Sequence, residues 1–113
     1  MKKTDRPPFM RLKVIMVMEA STCHITRMDA RLLELDDLDQ PLIIYKYDEG
    51  FWIHIPESTK RKLMPASTSK AMLDFGYSPE MVKLVAICMN QNMRFLRLDC
   101  DGEQYDELPS FDW

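Results

Sequence analysis

From Met10 to Met18 the chain alternates. Met10, Leu12, Val14, Met16 and Met18 share one face of an extended segment, and Arg11 and Lys13 begin the other. That second face turns apolar at Ile15 and Val17. The pattern predicts a first strand that enters from the edge of a sheet and becomes buried on both faces. Residues 1–8, ending at Pro7-Pro8, read as a flexible or extended lead-in. Ser21-Thr22-Cys23-His24 forms a turn. Thr26 is a good helix cap, with Asp29 three residues later as a variant of the capping box. The helix that follows should reach about Leu38. Its apolar stripe is Met28, Leu32 and Leu35, widened by Leu33 and Leu38. Asp36, Asp37 and Asp39 oppose the macrodipole at its far end, so that end should fray.

Leu42 to Tyr47 is rich in β-branched and aromatic residues, and Phe51 to Ile55 alternates. Asp48-Glu49-Gly50 between them reads as a hairpin loop, with glycine where a left-handed residue is wanted. Phe51, Ile53 and Ile55 share one face, and Trp52 and His54 the other. Residues 56–68 are polar and form the longest irregular stretch. A short helix is expected from Thr68 to Phe75, stopped by Gly76. Ser78-Pro79-Glu80 starts another, which runs to about Asn92 and buries Met81, Leu84, Val85 and Cys88. Phe95 to Leu98 is the last strand.

The order strand, helix, strand, strand, helix, strand is the βαββαβ plan of ferredoxin-like folds. The expected architecture is a single α+β domain over residues 1–113: a four-stranded antiparallel sheet, an extra short helix and a C-terminal tail.

Composition adds one asymmetry. The 113 residues are 46% hydrophobic and 29% charged, with a net charge of −3. That is ordinary for a folded domain and excludes disorder and collagen; the net negative charge argues mildly against a dedicated nucleic-acid binder. From Asp99 to Trp113, however, there are six acids and no base. The remainder carries fifteen bases and twelve acids, a net of +3. A mildly basic body thus bears an acidic tail, 99–113. Leu98, Leu108, Phe111 and Trp113 are spaced to dock that tail on the body. No apolar stretch approaches the ~20 residues of a membrane span. Three cysteines, no C-x-x-C pair and no signal peptide point to the cytoplasm.

Motifs with chemistry are sparse. Cys23-His24 lies just before a helix N-terminus, which would favour a thiolate, but no third orienting group is identifiable. Cys23, His24, His54 and Cys100 are single and scattered, unlike zinc ligands. Placing Gly102 at the sixth position of a calcium loop puts Leu108 at the twelfth, where a glutamate is needed. Three isolated glycines exclude a phosphate-cradling loop. No metal or cofactor is expected.

Several segments together resemble a known family: Ser21-Thr22-Cys23-His24-Ile25-Thr26, the hairpin ending Gly50-Phe51-Trp52-Ile53-His54-Ile55-Pro56, Phe95-Leu96-Arg97-Leu98-Asp99 with Asp101-Gly102, and the closing Leu108-Pro109-Ser110-Phe111-Asp112-Trp113. In that order they are similar to a family of small bacterial proteins of unknown function carried by plasmids, phages and other mobile elements. The resemblance implies a cytoplasmic accessory protein of a mobile element, with no established activity. Alanine is usual in that family at the position of Cys23, which argues against a shared thiol chemistry.

The expected function is therefore non-enzymatic binding of a protein partner through the acidic tail. The candidate residues are Ser21, Thr22, His24, Thr26, Asp101, Glu103, Asp106, Glu107, Asp112 and Trp113. Two alternatives stand beside it. One is a small hydrolase or transferase using His24 or His54. The other is weak nucleic-acid binding through Trp52, His54 and the basic knot Lys60-Arg61-Lys62.

Overall fold

A computed structural model describes residues 13–56 and 64–113. The sequence order of elements holds. β1 is Val17–Ser21, followed by a single 3-10 turn, Thr22–His24, and helix α1, Arg27–Leu33. The hairpin is β2, Ile43–Tyr47, and β3, Gly50–His54. Helices α2, Ala66–Phe75, and α3, Pro79–Asn90, precede β4, Phe95–Asp99. Residues 10–12 of the expected first strand and the knot Lys60-Arg61-Lys62 lie outside the described residues.

The four strands form one sheet in the order β1-β4-β3-β2. It is mixed, which corrects the expected antiparallel sheet. β1 runs parallel to β4, while β4–β3 and β3–β2 are antiparallel. The extra helix supplies the reason. One helical crossover returns a strand in its original direction. Two helices between β3 and β4 add a second traverse, so β4 comes back reversed and can pair with β3 directly.

The core lies on one face of the sheet. Ala20, Phe51, Ile53, Leu96 and Leu98 meet Leu33, Met72, Met81, Leu84, Val85 and Cys88 from the helices. The α3 stripe falls where its spacing places it, and burial pushes the Cys88 thiol up to about 12. No described helix packs on the other face of the sheet. It carries Glu19, Arg97, Trp52 and Tyr45 in one row and Val17, Phe95, His54 and Ile43 in the next.

Three local expectations are corrected. First, β1 is not buried on both faces: Ile15 and Val17 are exposed. β1 is an edge strand whose outward face meets no described helix. Second, α1 stops at Leu33 rather than near Leu38, and Met28, Leu35 and Leu38 are exposed. The helix is turned so that Leu33 and Asp29 face inward. Asp29 explains the rotation. Its Oδ2 accepts from the Thr26 N–H at 3.0 Å, closing the capping box. Oδ1 accepts from the Ser78 N–H at 2.8 Å, and Oδ2 also accepts from the Ser78 hydroxyl at 2.6 Å. Ser78 in turn caps α3 by accepting from the Met81 N–H. One buried carboxylate thus joins the positive ends of two helices. At the other end of α1, Lys46 Nζ donates to the Glu34 carbonyl and to Asp36.

Third, Gly50 is not a left-handed turn residue; among the described glycines only Gly76 has positive φ, at 118°. Gly76 caps α2 in the way its position predicts. Gly50 is required by closeness instead. A Cβ there would lie 1.8 Å from the Leu98 carbonyl oxygen of the neighbouring strand. Gly50→Ala should therefore prise β3 from β4 and cost about 3 kcal/mol, read from the urea midpoint at unchanged slope.

Candidate functional site

The segment 21–26 and the acidic tail meet. Ser21, at the end of β1, is buried. Its hydroxyl accepts from the Cys23 N–H and opens the short turn that swings His24 inward. His24 is 2% exposed, and both of its ring nitrogens bind the tail. Nε2 accepts from the Tyr105 N–H at 2.9 Å. An acceptor carries no proton, so the ring is the Nδ1–H tautomer, and Nδ1 donates to the Pro109 carbonyl at 2.8 Å. One side chain therefore ties two points of the tail, four residues apart in sequence.

Other bonds extend the attachment along the same segment. The Ser21 N–H donates to the Glu103 carbonyl at 2.8 Å, and the Phe111 N–H to the Cys23 carbonyl at 2.7 Å. The Tyr105 hydroxyl donates to the Glu19 carbonyl, and Trp113 Nε1 to the Ile25 carbonyl at 3.0 Å. Tyr105 and Leu108 pack against the core. The tail is thus a strap with a fixed path, although most of it is irregular. Hydrogen bonds from its backbone and aromatic tips hold it more than the burial expected of Trp113, which remains 47% exposed.

The strap turns its acids outward. Asp101, Glu103, Asp106, Glu107 and Asp112 are all exposed. Asp99 is different. It is buried at the end of β4, where its carboxylate accepts from the Tyr47 hydroxyl at 2.6 Å, the Arg97 guanidinium and the Asp101 N–H. The Tyr47 hydroxyl above all, then the Asp101 N–H and the Arg97 charge, hold the Asp99 carboxyl below the usual carboxylate range. Asp99, Cys100 and Asp101 lie close enough to share a cation, but Asp99 already spends its oxygens on those partners. The Cys100 thiol is exposed, and desolvation with Asp101, Asp99 and Glu49 nearby pushes it up, away from the thiolate.

Trp52 and His54 are brought together with each other, around Phe95, but not with the strap. His54 stands on the open sheet face, edge-on to Phe95 with ring centroids 5.3 Å apart. Trp52 is on the same face, under the Arg97 guanidinium at 5.6 Å. The register puts His54 beside Phe95 and Val17, at the end of the sheet away from Ser21 and His24. Among the described residues the two histidines share no cleft, and both His24 nitrogens are already bonded. Thr26 is occupied with capping. The recess beside His24, lined by Pro79, Glu80, Lys83, Leu84, Leu108 and Pro109, holds about 190 Å³. A larger one of about 490 Å³ lies between the hairpin turn, Ala30, Cys100 and Trp113. Sequence reasoning missed Tyr105, Pro109 and the role of His24 as their anchor. A lone histidine followed by a Pro-containing acidic tail carries no local sign that the two will bond.

No helix among the described residues is long and apolar enough to cross a membrane. Two outcomes follow from the bonding. His24→Ala leaves the Tyr105 N–H and Pro109 carbonyl without partners. It should cost about 3 kcal/mol and make residues 103–113 the first site of limited proteolysis. Tyr47→Phe should raise the Asp99 pKa toward its ordinary value, read by carboxyl NMR titration. The sign follows from the depressed carboxyl. Its stabilising contribution is complete above the unfolded pKa of about 4 and is lost as pH falls through the lower folded value. The variant should therefore show a smaller loss of stability over that acid range.

No curated protein and no solved structure matches the chain. One family model does, over residues 17–113, which begins at the first residue of β1 and includes the whole strap: the chain belongs to a family of unknown function, DUF5983, and corresponds to its C-terminal domain.

Proposed function

We propose that the protein is a non-enzymatic binding module that presents the acidic strap to a basic surface on a protein partner. The observation that supports this most is the pairing of exposure with attachment. Five carboxylates face outward on a segment whose backbone is held at Glu103, Tyr105, Pro109 and Phe111. A flexible acidic tail would lose its conformational freedom on binding. A strap already ordered on the body presents its charges without that cost. Spaced carboxylates on a fixed path also offer a basic groove the charge of a phosphate backbone, and such complementarity speeds encounter and selects partners. This fits an accessory factor carried by a mobile element and acting in the cytoplasm on host or element machinery that handles nucleic acid.

A second reading rests on the open sheet face. Trp52, His54 and Phe95 form a contiguous aromatic surface there, and aromatic sheet faces stack unpaired bases. Its test is the anisotropy of a labelled single-stranded oligonucleotide at low salt; no binding, or binding unchanged by Trp52→Ala, ends it.

For the preferred reading, the full chain is immobilised and used to capture partners from its native host across a salt series. A variant with Asp101→Asn, Glu103→Gln, Asp106→Asn, Glu107→Gln and Asp112→Asn should lose a partner that the wild type retains at low salt. His24→Ala, with the charges intact but the strap released, should weaken the same capture. Retention of that partner by the neutralised variant at equal salt would overturn the proposal.

A further inference from the structure

β1 lies at one edge of the sheet, and among the described residues only half of its outer side is covered. The Arg94 N–H donates to the Met16 carbonyl at 2.7 Å, so Met16, Met18 and Ala20 direct their backbone groups toward β4. Val17, Glu19 and Ser21 direct theirs outward. The strap occupies the far part of that outward side, at Ser21 through Glu103 and at the Glu19 carbonyl through the Tyr105 hydroxyl. Toward Lys13, no described residue bonds the outward groups of Ile15 or Val17.

The side chains here are the opposite of what guards an edge. Open edges are usually protected by charge, proline or a bulge. Val14 is 84% exposed, Met16 54%, Ile15 43% and Val17 38%. The only charges from residue 13 to residue 19 are one at each end, Lys13 and Glu19, of opposite sign.

That pattern is self-complementary. An antiparallel pair of this segment with itself, centred on Met16, aligns every residue from 13 to 19. At both ends the Lys13 side chain then meets the Glu19 side chain of the other copy, beyond the last ladder bond, because the Glu19 carbonyl already accepts from the Tyr105 hydroxyl. Ile15 faces Val17 on the open face, and Val14 faces Met18 on the helix face. Ile15 and Val17 also become the hydrogen-bonded positions, the residues whose backbone groups point outward, so register and ladder agree. Two-fold pairing demands such self-complementarity, and cross-strand pairs of opposite charge or apolar character each stabilise a ladder. We propose that Lys13–Glu19 pairs with the same segment of a second copy of this chain, joining two sheets edge to edge in an antiparallel seam with Met16 on the two-fold axis.

The test uses the full chain under reductant. Light scattering after size exclusion should show a dimer that dissociates on dilution. Ile15→Pro, which removes an outward donor and leaves the β1–β4 ladder intact, should yield monomer. Lys13→Glu and Glu19→Lys should each weaken the dimer about tenfold, and mixing the two variants should restore it. Glu19 also lies 3.7 Å from Arg97, so a second measurement spares that pair. In a Cys100→Ser background, Met16→Cys should cross-link to itself on mild oxidation and Val14→Cys should not. A wild type that stays monomeric at several hundred micromolar overturns the proposal. So does a dimer indifferent to Ile15→Pro, or equal cross-linking at positions 14 and 16.

Discussion

His24 is the contact on which the visible surface of this protein depends. A buried imidazole must satisfy two ring nitrogens, and both partners here come from one distant segment, the Tyr105 N–H and the Pro109 carbonyl. Neither the tail nor the turn at 21–24 has much structure of its own. Each supplies the polar groups that the other would otherwise leave buried and unpaired, and an unpaired buried group costs more than a hydrogen bond gains. That asymmetry turns fifteen mostly irregular residues, six of them acidic, into a strap. The other hydrogen bonds that hold residues 103–113 on the body, among them Glu19 with Tyr105, Ser21 with Glu103, Cys23 with Phe111 and Ile25 with Trp113, lie within the short stretch 19–25.

Asp29 does for the helices what His24 does for the strap. Its carboxylate is shared by the caps of α1 and α3, so the two helices start from one point. Three donors, two of them backbone N–H groups at helix N-termini, surround the carboxylate. His24 and Asp29 are five residues apart, on either side of the Thr26 cap. The segment 21–29 is therefore both the foundation of the helical layer and the dock for the tail.

The two faces and two ends of the sheet are treated differently. One face is filled by the helices. The other is left with an aromatic surface organised around Arg97, which lies over both Tyr47 and Trp52 and pairs with Asp99 and Glu19. The strap protects the β1 edge near Ser21, and the stretch before it is apolar and meets no other described segment on that side. Acidic strap and apolar edge thus adjoin on one side of the molecule, and the division between them falls at Glu19.

Much of the local structure was legible from residue order alone. Thr26 with Asp29, Ser78 with Pro79, Gly76 after Phe75, and the alternation of Phe51, Ile53 and Ile55 all specify elements whose signals act within a few residues. The acidic strip was legible as well, because charge can be counted. Tertiary structure decided the rest. The direction of β4 followed from how many helices the chain passes through after β3. The buried side of α1 followed from Ser78, forty-nine residues from Asp29, and not from the apolar stripe. Gly50 was needed for the approach of Leu98 rather than for a turn. His24 offered two chemical readings in sequence, base or metal ligand, and became an anchor only when the far end of the chain folded back to meet both nitrogens. Periodicity and caps encode what a segment becomes; which face it buries, and what its polar groups bind, is set by partners remote in sequence that must all be satisfied together.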